Sequence, residues 1–194
     1  HVERARQLPW VRDHEAAPPK LDSAQVRDLE QVVRSLGEGG ELKDLFRRIL
    51  DALVLWTGVE RGMLLLRAPD GRLVTRAARN MARRDLKDEE RLLSQTLAQQ
   101  AMEQLTPIVA TDARGELSST HKSVHALRLR SVLAVPLIHQ GEALGVVYLD
   151  DRIRAGAFGE DELTWVRTIA HVAAALTAQA REGLLLRRAV RRNK

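Results

Sequence analysis

His121 and His125 stand four residues apart in "SSTHKSVHALRL", which reads as a short helix, so both imidazoles could point the same way. With Asp112 nearby they could make a two-histidine, one-carboxylate metal site, although the stretch lacks the glutamate of "HExxH" and the third ligand is open. The plainer reading leaves the metal out and places both rings, partly exposed, over the mouth of a pocket; in a ligand-binding version the same rings would donate hydrogen bonds to a bound effector. Arg79 and Asn80 close a strand, and an inward guanidinium there could clamp a carboxylate or phosphate; an edge strand also carries arginine merely to block pairing. Asp150 and Asp151 could serve as paired carboxylates only if one were buried with a raised pKa. The plain alternative is that they cap "IRAGAF" or pair with Arg152 and Arg154. His139 beside a turn reads as solvated, and His171 on a long helix as a contact with the sheet or a partner helix. No "GxxxxGK[ST]", "GxGxxG" or "GxSxG" occurs, so phosphate-cradling and nucleophile-elbow enzymes lack their parts.

Composition narrows the chemistry further. The 194-residue chain has no cysteine, which removes disulfides, thiolate nucleophiles, thioether-linked chromophores and cysteine zinc sites. Hydrophobic residues at 44% and charged residues at 29% describe a soluble globular protein of one domain with extensions. No apolar run suits a bilayer span and no leader is evident, so the default compartment is the cytosol. The chain opens at His1 and stops in a charged helix-like stretch, and is taken as a segment of a longer polypeptide. Its net charge of +5 sits at one end: Arg181, Arg187, Arg188, Arg191, Arg192 and Lys194 face Glu182 alone. With aromatics at 3%, base-stacking platforms are missing, and "RRAVRRNK" reads as a solvated helix end rather than a nucleic-acid surface.

These groups need positioning elements, and hydrophobic periodicity supplies them. Residues 1–21, with Pro9, Pro18 and Pro19, read as a linker. Asp22 or Ser23 caps an amphipathic helix with Val26, Leu29, Val32, Val33 and Leu36 on one stripe. Leu42, Leu45, Phe46, Ile49, Leu50, Leu53 and Trp56 form a second stripe, with Gly58 as its C-cap. "RGMLLLRA" and "RLVTRAARN" flank "PDG" and make a hairpin; "DEERLLSQTLAQQAMEQL" is a helix and "TPIVATDA" a short strand. "SVLAVPLIHQGEALGVVYLDD" is a second hairpin, apolar on both faces and therefore covered on both. Pro136 inside it implies a bulge or an unpaired position. A long helix begins near Gly159, with Glu160, Asp161 and Glu162 in its first turn; Val166, Ala173 and Ala180 are seven apart, as are Ile169 and Leu176, a spacing that suits a two-helix seam.

The expected fold is α+β: a single antiparallel β-sheet with terminal helices packed on one face, and short helices and loops covering a pocket on the other. Gly145, Ala143 and Ala78 leave room for that pocket.

This layout resembles the GAF domain family. The resemblance rests on "LFRRILDALVLWTGVERGMLLLRAPDGRL", Ser94, "PIVATDA" from Pro107, "RSVLAVPL" from Arg130, "GEALGVVYLDD" and "FGEDEL", in that order over residues 41–178. It implies a non-enzymatic regulatory sensor with a small-molecule cavity between the sheet and the helices above it, and no cofactor. The residues expected to contact the effector are Arg79, Asp112, His121, His125, Ser131 and Leu133. The family usually dimerises through its terminal helices, here Val26, Leu29 and Val33 (residues 22–40) with Val166, Ile169, Ala173 and Leu176, and signals to an output domain beyond residues 179–194. The "SVLAVPL…GVVYLDD…FGEDEL" version looks most like domains upstream of ATPase modules in bacterial enhancer-binding transcription activators that work with the nitrogen-type sigma factor. Neither nucleic acid nor membrane is an expected direct partner. Cyclic-nucleotide-binding members carry Asn-Lys, Phe and Asp-Glu, where this chain has Asp150-Asp151 and a different spacing to Phe158, Asp161 and Glu162. Bilin-binding and methionine-sulfoxide-reducing members need cysteine, which is absent.

Overall fold

A computed structural model describes residues 23, 27, 30, 42–80, 95–111 and 129–192, with side chains on the last helix described as far as Gly183. The elements are α1 (Leu42–Thr57), β1 (Arg61–Arg67), β2 (Leu73–Asn80), α2 (Gln95–Gln104), β3 (Ile108–Ala110), β4 (Ser131–His139), β5 (Glu142–Asp151) and α3 (Glu160–Arg192). Ser23, Arg27 and Glu30 are helical and exposed, and Arg27 Nε donates to Ser23 O at 3.0 Å.

The strands form one antiparallel sheet in the order β2-β1-β5-β4-β3. Both strands of the apolar hairpin are interior, as their two apolar faces require. Its turn is tight because Gln140 and Gly141 both adopt positive φ, 50° and 82°, which matches the right-handed twist of the flanking strands. Pro136 stays in the β4–β5 ladder opposite Val146, and the register slips one residue later, between Leu137 and Ile138. Among the described residues β3 pairs with Val132–Ala134 and stops two residues short of Pro136.

Side-chain alternation divides the core into two. On the first face, Leu64, Leu66, Leu133, Val135, Leu137, Val147 and Leu149 meet the apolar stripes of α1 and α3. Trp56 of α1 stacks on Trp165 of α3 with ring centroids 4.9 Å apart. Gly62 lets α1 lie close: a Cβ there would stand 2.9 Å from Leu149 Cδ2 and 3.1 Å from Val54 Cγ2. On the second face, Met63, Leu65, Val132, Ala134, Val146 and Tyr148 meet Leu97, Ala98, Ala101 and Met102 of α2.

Two expectations change. Gly145 does not open space on the second face. It faces Leu66 on the first, and a Cβ on it would stand 2.2 Å from Leu65 O, so glycine is there for close backbone approach. The seven-residue spacing of α3 is used within the chain: Val166, Ile169 and Ala173 are buried in its own core and Leu176 packs on it.

Candidate functional site

The polar centre of the described structure lies where β1 begins and β5 ends. Arg61 stands directly opposite Asp150 across the β1–β5 ladder, on the second face with Tyr148. The guanidinium grips the carboxylate in two places, Nε to Oδ1 at 2.8 Å and Nη2 to Oδ2 at 3.0 Å, and both side chains are buried. Burial pushes the Asp150 carboxyl up to about 6, while the Arg61 charge and a hydrogen bond from Tyr148 pull it back. Burial works to lower the Arg61 pKa, but the Asp150 carboxylate outweighs it and the net direction is up.

Asp151, one residue on, points to the other face and makes a turn. Its Oδ1 accepts the N–H groups of Ile153 and Arg154, each at 2.8 Å, and its Oδ2 accepts Arg154 Nε at 3.1 Å. Burial raises its pKa, but these donors overcome that and hold it below the usual carboxylate range. Arg154 Nη2 in turn donates to Gly58 O at 2.7 Å and Thr57 O at 3.2 Å, satisfying carbonyls that the end of α1 leaves open. Arg152 pairs with Glu60, whose pKa is lowered first by that hydrogen bond. The two aspartates therefore have separate arginine partners, and neither is placed as a member of a catalytic carboxylate pair.

The expected effector contacts separate in the same way. Arg79 projects to the first face, where its Nε lies 3.1 Å from Asp51 Oδ1 of α1. Leu133 is in the first-face core, away from the expected pocket. Ser131 is fully buried; its hydroxyl donates to Arg154 O at 2.8 Å, has Thr111 O at 3.2 Å, and accepts Ala157 N–H at 3.1 Å. It fastens the β5–α3 connection. Asp112, His121, His125, Val26, Leu29 and Val33 lie outside the described residues. His139 is half-buried near its turn, and His171 is exposed on α3 rather than turned to the sheet. Among the described residues no three metal-ligating side chains gather, and no helix is long and apolar enough to cross a membrane.

Sequence reasoning did not single out a groove of about 720 Å³ between the start of β2 and α2. Arg72, Leu73 and Val74 form one wall and Thr96, Gln99, Gln100 and Glu103 the other. Asp70 holds the Arg72 guanidinium, and Gln99 Nε2 donates to Glu103 Oε1 at 2.9 Å. The "PDG" turn that ends in Arg72 was legible, but the nearness of α2 to that strand end is a product of tertiary packing.

The family follows from this architecture and from direct comparison. The family model for the GAF domain matches residues 40–177, and the chain belongs to the GAF domain family. Among solved structures, it is similar to the GAF domain of a phosphoenolpyruvate-protein phosphotransferase from Coxiella burnetii, at 23% identity and TM-score 0.61, over 81% of this chain and 95% of that one. The corresponding Acinetobacter domain aligns at 15% identity and TM-score 0.66, over 84% and 97%. A domain of a two-component sensor histidine kinase from Sinorhizobium meliloti aligns at 19% identity and TM-score 0.60, over 76% and 98%. At these identities the structural matches establish the fold. No curated protein matches the chain. GAF domains related to this one are sensor modules in signalling proteins, and the family is generally regulatory rather than catalytic.

Proposed function

We propose that the chain is a regulatory sensor module that binds a small molecule on the second face of its sheet and controls an output domain in cis, in a bacterial transcription regulator. The observation that carries this reading is the groove of about 720 Å³ between β2 and α2, whose size falls in the range of small-molecule sites. α1 and α3 meanwhile cover the first face with a continuous apolar core. The groove has an apolar part, Leu73 and Val74, and polar groups from Thr96, Gln99 and Glu103, the combination that binds and orients a small ligand. α3 supplies the route outward, since it packs along the sheet and continues to Arg192, past Thr177, the last buried residue among those described. A homodimer through terminal helices fits this scheme with a seam other than Val166, Ile169 and Ala173, which the core occupies.

A second reading, a GAF domain that only dimerises and positions its neighbours, is favoured by one observation. The middle of the second face is filled by Met63, Leu65, Val146 and Tyr148. Native mass spectrometry of protein purified from its own cells, followed by melting curves with any copurifying molecule, separates the two. Saturable stabilisation supports sensing; a helix-mediated dimer whose melting ignores every metabolite tried supports the scaffold.

A further inference from the structure

Arg181 interrupts the apolar stripe of α3 beside the ends of β1 and β5. The buried positions run Val166, Ala170, Ala173, Ala174 and Thr177, and Arg181 lies one turn beyond Thr177 on the same side. Instead of turning to solvent, its Nη2 donates to Arg67 O at 2.7 Å, with Leu144 O at 3.5 Å. Arg67 is the last residue of β1, and Leu144 lies near the start of β5, so the guanidinium reaches the turn end of the two central strands. The 33 residues of α3 extend roughly 50 Å, and about 16 Å of that lies past Arg181.

Arg67 pairs across the ladder with Leu73, and Leu73 and Val74 line the groove between β2 and α2. A displacement of that groove wall therefore has one strand pair to cross before it reaches the carbonyl that Arg181 holds. The other end of α3 is fixed differently. Residues 152–157 are tied to Glu60, Asp151, Ser131, Thr57, Gly58 and Thr111 by side-chain and backbone bonds, and Gly159 N–H is capped by Glu162 at 2.8 Å. An input on the second face meets several ties at the start of α3 and, among the described residues, the Arg181 contact toward its far end.

We propose that Arg181 is a positioning residue, a latch through which the β1–β2 wall of the groove sets the direction and order of α3 where it leaves the domain. The proposal rests on the sensor reading for its purpose, but its geometry can be tested without any effector. Hydrogen exchange of the 194-residue chain would be followed for amides 178–186 and, as an internal reference, 163–175, in the parent, Arg181→Ala and Arg181→Lys. Arg181→Ala is expected to speed exchange in 178–186 about tenfold and leave 163–175 unchanged, with Arg181→Lys, which keeps a donor, restoring part of the protection. Thr96→Trp, or Gln99→Trp if the first does not fold, crowds the groove from the α2 wall. Either is expected to alter exchange in 178–186 in the parent and to lose that effect in Arg181→Ala, a coupling that a merely structural contact would not show. Equal exchange in parent and Arg181→Ala, or a groove effect of the same size in both backgrounds, overturns the latch. Failure to find an effector would count against the sensor reading and leave these exchange results standing.

Discussion

Arg61 and Asp150 face each other across two central strands and close a two-point ion pair, 2.8 and 3.0 Å, with both side chains out of contact with solvent. Pairs of this kind are retained against a large desolvation cost, so removing one partner is far worse than removing both. Arg61→Met is expected to destabilise the chain at neutral pH by about 3–5 kcal/mol, because it leaves a buried carboxylate without its guanidinium. The double replacement Arg61→Met with Asp150→Leu is expected to recover most of that loss. Urea unfolding of the two single variants and the double variant measures the difference directly, and a double variant as unstable as Arg61→Met would contradict it.

Asp150 also sets a pH dependence whose sign is opposite to that of its neighbours. Its folded pKa of about 6 lies above the ordinary value of 3.8, so the folded state holds the proton more tightly. The stability this group contributes is complete below about pH 4 and is lost as pH rises through 6, a change of up to about 3 kcal/mol. Asp151 and Glu60 are depressed by Arg154 and Arg152, so their contribution is present above the ordinary carboxylate range and fades as pH falls below it. Stability should therefore fall as pH rises from 4 to 6 through Asp150, and fall as pH drops below the ordinary carboxylate range through Asp151 and Glu60. Asp150→Asn is expected to flatten the first limb and keep the second, as read from urea midpoints between pH 3 and 7.

Gly145 and Gly71 separate close packing from backbone conformation. A Cβ at Gly145 would stand 2.2 Å from Leu65 O and 3.0 Å from Leu66 Cα, both backbone atoms that cannot rotate away. Gly145→Ala must spread the β1–β5 ladder beside an existing irregularity at Leu64/Leu65, and is expected to cost about 3 kcal/mol. At Gly71 nothing stands within 4 Å and only the φ of +83° resists a side chain, so Gly71→Ala should cost nearer 1 kcal/mol. Equal melting temperatures for the two variants would contradict this contrast.

The sequence carried the fold because the fold is written in short-range pattern. Helical spacing from Leu42 to Trp56 fixed α1, and two-faced apolarity in residues 131–149 placed those strands inside the sheet. The site was less legible because it depends on which face a strand residue points to after pairing. Leu133 and Arg79 belong to the first face by alternation with their neighbours, and only the packing of α1 and α3 shows that this face is sealed. The seven-residue spacing of α3 was equally ambiguous, since the same stripe can meet a partner helix or the chain's own sheet. Asp150 could be recognised as a strand-end carboxylate, but its pairing with Arg61 joins residues 89 apart in sequence, through a register that no local pattern encodes.

Ser131 offers the clearest separation between a ligand contact and a structural one. Its buried hydroxyl bridges Arg154 O and Ala157 N–H, joining the start of β4 to the segment that leads into α3. Ser131→Ala removes the hydroxyl but leaves the Ala157 N–H and the Arg154 carbonyl without that bond, an imbalance that costs about 1–3 kcal/mol in a buried setting. The variant should therefore melt several degrees lower. Exchange should rise in amides 154–158, beside the lost hydroxyl, more than in the β4–β5 turn at Gln140 and Gly141, which the substitution does not touch. Affinity for any effector found to bind the groove should be unchanged, because Ser131 lies at the Asp150 end of β5 and the groove beside Leu73, at the opposite end of the sheet. Loss of effector affinity with stability intact would instead return Ser131 to the ligand site that its position in the sequence suggested.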